Sequence, residues 1–340
     1  MKHDLLAPTK VLAQISAALP ESIRPNVIII GSLAAGYHFF SGDGPAAIRT
    51  KDVDCMLVPS PKAVAAAVAV TQQLLALNWK QREDPTLGTP GDANVETHKL
   101  PMIRLVPPAG SAWFLELMAA PATDDPGNSG KQLTRVHTNS GDFAICSFEY
   151  LALVEWKPLE TEFGLNIARP EMMALSNLLH HPVIKQDIIS GTEYKRSNKD
   201  LGRVLALAHL TIANDSKSGT NELSAWPLHM RDALQAMFGD RAGSLAKQAG
   251  TGLTALLSSP SDLNQALKIA NLGLLASANV TIEAIKATGR RVQTEVLDAL
   301  SELEFNQVEA RELSGIGKKN AEAHEGDAAQ KNTVKGHKPP

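Results

Sequence analysis

Aromatic residues are scarce in this chain: Phe, Trp and Tyr together make up 4% of 340 residues. A protein that threads single-stranded nucleic acid over successive stacked rings needs more of them. Positive charge is short as well. Lys and Arg number 33 against 36 Asp and Glu, a formal net charge of -3. That excludes a surface that binds polyanions everywhere, while leaving room for a local basic cleft. Only two cysteines occur, Cys55 and Cys146, both inside apolar runs and neither at metal-ligand spacing. Buried free thiols in a reducing compartment are the simplest reading. No stretch of about 18 uninterrupted apolar residues is present, so a membrane-spanning helix is not expected. The first residues, MKHDLLAPTKVLAQ, show neither the apolar core nor the cleavage pattern of a signal peptide, and a cytoplasmic location is expected. Both G-x-x-x-x-G-K-[ST] and G-x-G-x-x-G are missing, which argues against P-loop and Rossmann chemistry.

What is present is an ordinary proportion of hydrophobic residues, 44%, and length for about two domains. One stretch organises the rest: VIIIGSLAAGYHFFSGDGPAAIRTKDVDCML, from Val27 to Leu57. It opens as a β-branched strand, exits at Gly31-Ser32, continues as an apolar helix, and returns through a polar loop to Asp52-Val53-Asp54 at the head of a second apolar run. Side chains alternate between the faces of a strand, so Asp52 and Asp54 point the same way. Two carboxylates side by side repel each other unless a cation lies between them. Oxygen donors of this kind suit Mg²⁺, which is commonly held by one or two carboxylates plus substrate phosphates. Glycine at the strand exit lets backbone approach a ligand, and the following helix start offers free N–H groups to an anion.

The remaining chain reads in order. Pro8 to Leu19 has helical spacing, and Ser60-Pro61 caps an alanine-rich helix reaching about Leu77. Loops are expected at Ser41–Lys51, Arg82–Thr97 and Thr123–Gln132. His98–Val106 and Trp113–Met118 read as two strands of a hairpin around Pro107, Pro108 and Gly110. Glu116 is the lone charge in WFLELM, and such a carboxylate is rarely buried without a partner; its bland alternative is an edge-strand glutamate facing water. Phe143–Cys146 reads as the last strand, and a helix is expected from Ser147 to near Pro158. Beyond it strand signals stop. Helices are expected at Pro170–His180, Ser197–Ile212, Ala225–Phe238, Ala242–Leu257, Ser261–Ala276 and Thr281–Leu303, broken by glycines, prolines and Asn279. His180-His181, before Pro182, reads as a helix-end feature and not a metal site. The expected organisation is α+β: residues 1–150 as a mixed sheet flanked by helices, 151–312 as a helical domain, and 313–340 as a disordered tail without apolar anchors.

Gly-Ser at a strand exit, Asp-x-Asp opening the next strand and one acid on a later strand form an ordered set. Together they resemble the polymerase-β-like nucleotidyltransferase superfamily over roughly residues 25 to 120. Arg49-Thr50-x-Asp52-x-Asp54, with its long gap after Gly31-Ser32, looks most like the bacterial abortive-infection and toxin–antitoxin branch. The resemblance implies that Asp52, Asp54 and Glu116 hold two Mg²⁺ ions (or Mn²⁺), that Gly31 and Ser32, with Arg49 and Thr50, contact an NTP triphosphate, and that Glu116 helps activate an attacking hydroxyl. It also implies a toxin or phage-defence role beside a transcription-repressing antitoxin. Tyr194–Leu201 is similar to the Lys-Asp-Leu patch that opens a helix in these proteins, which makes Lys195, Arg196, Lys199 and Asp200 candidates for the nucleotide; a solvated helix start is the alternative. Two departures from the pattern are Arg203, where a second acid is frequent, and the long segment between Lys157 and Lys199. The acceptor, whether tRNA or other RNA, a protein or a small molecule, is not written in the sequence. A non-catalytic binding module with the same fold is the competing function.

Overall fold

The computed structural model describes residues 5–40, 48–83, 89–108, 113–121, 132–184, 187–189 and 191–305. The tail expected at 313–340, most of the Thr123–Gln132 loop, and the tips of the loops after Ser41, Arg82 and Pro108 lie outside the described residues. In the first half the elements are β1 (Leu5–Leu6), α1 (Pro8–Ala18), β2 (Val27–Ile29), α2 (Gly31–Phe40), β3 (Ile48–Arg49), β4 (Asp52–Leu57) and α3 (Ala63–Ala76). There follow β5 (Lys80–Gln81), β6 (Arg104–Val106), β7 (Phe114–Ala119), β8 (Gln132–Thr138), β9 (Gly141–Ser147), β10 (Leu159–Glu160) and β11 (Asn166–Ile167).

The architecture is α+β with a mixed sheet. Its strands run in the order β10-β11-β2-β4-β7-β6-β5, and β9 with β8 joins at the far end of β7. β4 lies parallel to β7 and antiparallel to β2. β7 is an interior strand: β6 pairs with its Leu115 and Glu116, and β9 with Met118 and Ala119. Glu116 is therefore not an edge-strand side chain facing water. The expected hairpin is present as the antiparallel pair β6–β7.

Several sheet elements depart from the sequence reading, and two of them are extensive or distant in the chain. β8 is a strand of seven residues paired along β9, beginning where a loop was expected. β11 lies beyond residue 150, where strand signals had stopped, yet it lines up parallel to β2 through Asn166↔Ile28 and Ile167↔Ile29. A strand of two residues carries no period for a reader to detect.

The alternation of β4 and β7 sets the two faces. Val53, Cys55, Leu57, Leu115 and Leu117 are buried on one side. Each aliphatic side chain so buried contributes about 1.5–3 kcal/mol relative to exposure. The other side carries the acids.

From Pro170 the described chain is helical: α4 (Pro170–Ile184), α5 (Arg196–Ser218), α6 (Glu222–Phe238), α7 (Ala242–Ala249), α8 (Leu253–Ser258), α9 (Pro260–Leu272), α10 (Ile282–Arg291) and α11 (Ala299–Glu302). Three local differences from the expected helices follow. The segment after Ser147 is a 3₁₀ helix, Glu149–Glu155. The helix expected at Ala242–Leu257 breaks into α7 and α8 at Gly250–Gly252, where Gly252 takes φ +121. The last helix passes through a π-helical turn, Val292–Asp298, before α11. α5 is central: it packs against α4, α6, α9 and α10, and also against α2, which follows Gly31. Among the described residues no helix is long and apolar enough to cross a membrane.

Candidate active site on the acid face

The pairing register builds the site. Asp54 stands directly opposite Glu116 across the parallel β4–β7 ladder, and Asp52 opposite Phe114. In-register partners share a face, so Asp52, Asp54 and Glu116 lie on one side of the sheet, as period-2 alternation requires. One strand further, Arg104 of β6 is opposite Glu116.

Gly31 closes the site from above. It has φ +69, and a Cβ placed on it would sit 2.8 Å from Asp54 Oδ2. Two independent reasons therefore require glycine: the left-handed backbone and the carboxylate packed against the missing side chain. The Ile30 N–H donates to the Asp54 carbonyl at 2.9 Å, tying the strand exit to β4. Ser32 follows in the first turn of α2. Thr50 donates its hydroxyl to Asp52 Oδ1 at 2.7 Å. Arg49 is exposed, in β3 beside Leu5 of β1, a pairing the sequence did not suggest.

The two aspartates have opposite electrostatics. Burial pushes Asp54 up, and Asp52 and Glu116 push it further, to about 7, against the pull of Arg203 and Lys199. Asp52 is also desolvated, but the Thr50 hydroxyl, Arg203 and Lys199 together outweigh burial and hold its carboxyl below the usual range. One neighbour of the pair is thus ionised throughout the neutral range while the other titrates within it.

No family model, curated protein or solved structure matches this chain.

The basic stretch opening α5 is distributed around the helix. Lys199 and Arg203 act on both Asp52 and Asp54, and Lys199 itself is lowered by Arg203 and by burial, against the raising effect of the acids. They are four residues apart, one turn, and so share a helix face. Lys195 goes elsewhere: its ammonium is 2.9 Å from Asp262 Oδ1 of α9, where Asn198 also bonds. Arg196 is exposed to solvent. Asp200, about 100° around the helix from Lys199, is buried and 2.9 Å from His180 Nδ1 of α4. Of the four candidates in this stretch, Lys199 is the one whose charge is felt at the acids. Arg203 joins it. The sequence showed Arg203 only as a departure from a pattern, although its spacing from Lys199 was the available signal.

Glu116 is already engaged. Arg104 donates to it twice, Nε to Oε2 at 3.0 Å and Nη2 to Oε1 at 3.3 Å. The Glu116 side chain is 8% exposed and that of Arg104 23%. Recognising Arg104 from the sequence would have required the register of the hairpin. Among the described residues no three His, Cys, Asp or Glu side chains are gathered as a ready-made metal site. The open donor set is the Asp52–Asp54 pair. It fits a single Mg²⁺, because a divalent ion would relieve the crowding that raises Asp54 and could complete its shell with phosphate oxygens and water.

Proposed function

We propose that the chain is a metal-dependent nucleotidyltransferase of the polymerase-β-like superfamily, moving a nucleotide from an NTP to a hydroxyl acceptor. The observation that carries the reading is Asp54: a carboxylate packed under a glycine turn, in register with Glu116 and one alternation from Asp52. In this reading Asp52 and Asp54 hold Mg²⁺, or Mn²⁺ in its place. The bound ion would neutralise phosphate charge and polarise the phosphorus under attack. The residues of the chain do the rest. Gly31 and Ser32 present backbone N–H groups and a hydroxyl to the phosphates. Lys199 and Arg203 offset the remaining triphosphate charge. Glu116, once parted from Arg104, is a third ligand for a second ion or accepts the proton of the attacking hydroxyl. A place in toxin or phage-defence systems belongs to the same reading.

One observation favours the competing function, a nucleotide- or partner-binding module without turnover: the third acid is bonded to Arg104. Incubation with each α-labelled NTP, Mg²⁺ and total cell RNA, followed by a gel, separates the two. Label transferred to RNA or to protein, and lost in Asp54→Ala, supports transfer. ATP or GTP binding without label transfer to any acceptor supports the module.

A further inference from the structure

A second group of cations gathers at Phe114, and one of them, Arg82, has no role in the chemistry above. Phe114 is the in-register neighbour of Asp52. The Arg82 guanidinium carbon lies over the Phe114 ring, 4.2 Å from its centre, and that of Arg104 is 5.9 Å away. Arg82 is fixed from its backbone, whose N–H donates to the Arg104 carbonyl at 2.7 Å. Its residue is exposed, and among the described residues it has no carboxylate partner. Glu116, two residues from Phe114 on the same strand face, is bonded to Arg104.

A guanidinium resting on an aromatic ring keeps its fork of N–H donors at its edge, where it can grip a planar or tetrahedral oxyanion in two-point fashion. The ring limits the orientations that Arg82 must give up on binding, so less is lost per hydrogen bond formed. Arg104 engages both carboxylate oxygens of Glu116. The result is an oriented cation at Phe114, the in-register neighbour of Asp52.

We propose that Arg82, held over Phe114 and backed by Arg104, is a phosphate-binding subsite distinct from the one that takes the triphosphate, and that its occupant is a phosphate of the nucleotide acceptor. The word acceptor rests on the transfer reading; the subsite rests on the arginine–ring geometry alone. Two anionic reactants that must meet over carboxylates repel each other and the site. A separate cation for each, one just after β5 and the other on α5, brings both in without competition. A neutral small-molecule acceptor has no use for Arg82.

The test reads binding without turnover. Anisotropy of a fluorescein-labelled single-stranded oligoribonucleotide is measured at low salt for the native chain and for Arg82→Gln, Phe114→Leu, Lys199→Gln and Lys247→Gln. Inorganic tripolyphosphate and ATP serve as unlabelled competitors. Lys247 is exposed on α7 and controls for loss of one positive charge. Arg82→Gln should weaken the oligonucleotide about tenfold, the scale of one charge-assisted two-point contact, and Phe114→Leu should lose part of that. ATP should respond to Lys199→Gln more than to Arg82→Gln. If Arg82→Gln also weakens tripolyphosphate, the subsite accepts any phosphate; if only the oligonucleotide weakens, it reads the phosphodiester of a strand. Either result supports the subsite. Equal effects of Arg82→Gln and Lys247→Gln in both arms overturn it. Arg82-dependent oligonucleotide binding in a chain that transfers no label keeps the subsite and sinks the transfer reading instead.

Discussion

The two flanks of the acid face solve the same electrostatic problem in different ways. On the α5 side, Lys199 and Arg203 act through their charges on Asp52 and Asp54 together. On the β6 side, Arg104 grips Glu116 through two hydrogen bonds. A loosely compensated carboxylate keeps its lone pairs for something else; a tightly compensated one is spent until its partner leaves. The comparison teaches that three acids on one face are not three equivalent ligands.

The largest expected effect tests the open half. Asp54→Ala should abolish nucleotidyl transfer in the labelled-NTP assay while leaving the melting temperature equal or higher. The pH dependence has a definite sign. The folded carboxyl of Asp54 is pushed up to about 7 from its ordinary value of 3.8. The folded state therefore binds the proton more tightly than the unfolded state. The associated stability is present below about pH 4 and is lost as pH rises through 7. A conservative Asp54→Asn chain, lacking this titration, should gain on the native chain progressively between those limits and keep the full gain above pH 7. Urea unfolding at pH 4.5 and pH 8 in the absence of metal reads this, and equal differences at the two values would refute the crowded-carboxylate account.

The closed half is tested next. Arg104→Leu leaves Glu116 buried without its partner and should cost about 3–5 kcal/mol. The double change Arg104→Leu, Glu116→Leu should recover most of that loss, since an apolar pair of similar volume can replace a buried ion pair. A double variant no more stable than the single one would show that the pair is bound into a wider network.

Gly31→Ala comes third. It forces a left-handed backbone on a residue with a Cβ and drives that Cβ onto Asp54 Oδ2, so a loss of about 1–3 kcal/mol is expected. Combining it with Asp54→Ala should restore only the steric part, which separates backbone strain from the carboxylate contact in a denaturation series. The smallest effect belongs to Lys199→Gln, which should weaken ATP by about tenfold or less and more at low salt than at high. Lys247→Gln should change neither condition.

Much of the acid face was legible because it depends on local alternation. Val27–Ile30 ending at Gly31, and Asp52 and Asp54 on one face of an apolar strand, follow from period-2 patterning and the conformational freedom of glycine. The long helices α5 and α6 followed from helical spacing. What could not be read was pairing between distant segments. Arg104 meets Glu116 through hairpin register, and β11 reaches β2 from beyond residue 150. The spread of Lys195, Lys199 and Asp200 to α9, the acids and α4 was hidden for another reason. A run of charges reads as one patch in one dimension, but a helix turns successive residues about 100° apart and hands them to different neighbours.

The seat of β11 has a consequence for how the protein is made. β2, which ends at the glycine turn over Asp54, has β4 on one side and β11 on the other. A ribosome that has delivered the chain only as far as β9 has already supplied both aspartates and Glu116, yet one side of β2 still shows unpaired backbone groups. Such an edge is a template for another nascent chain. Cutting the gene near residue 150 should therefore yield an acid face that self-associates, because the last stitch of its sheet arrives after the sequence has turned toward helices.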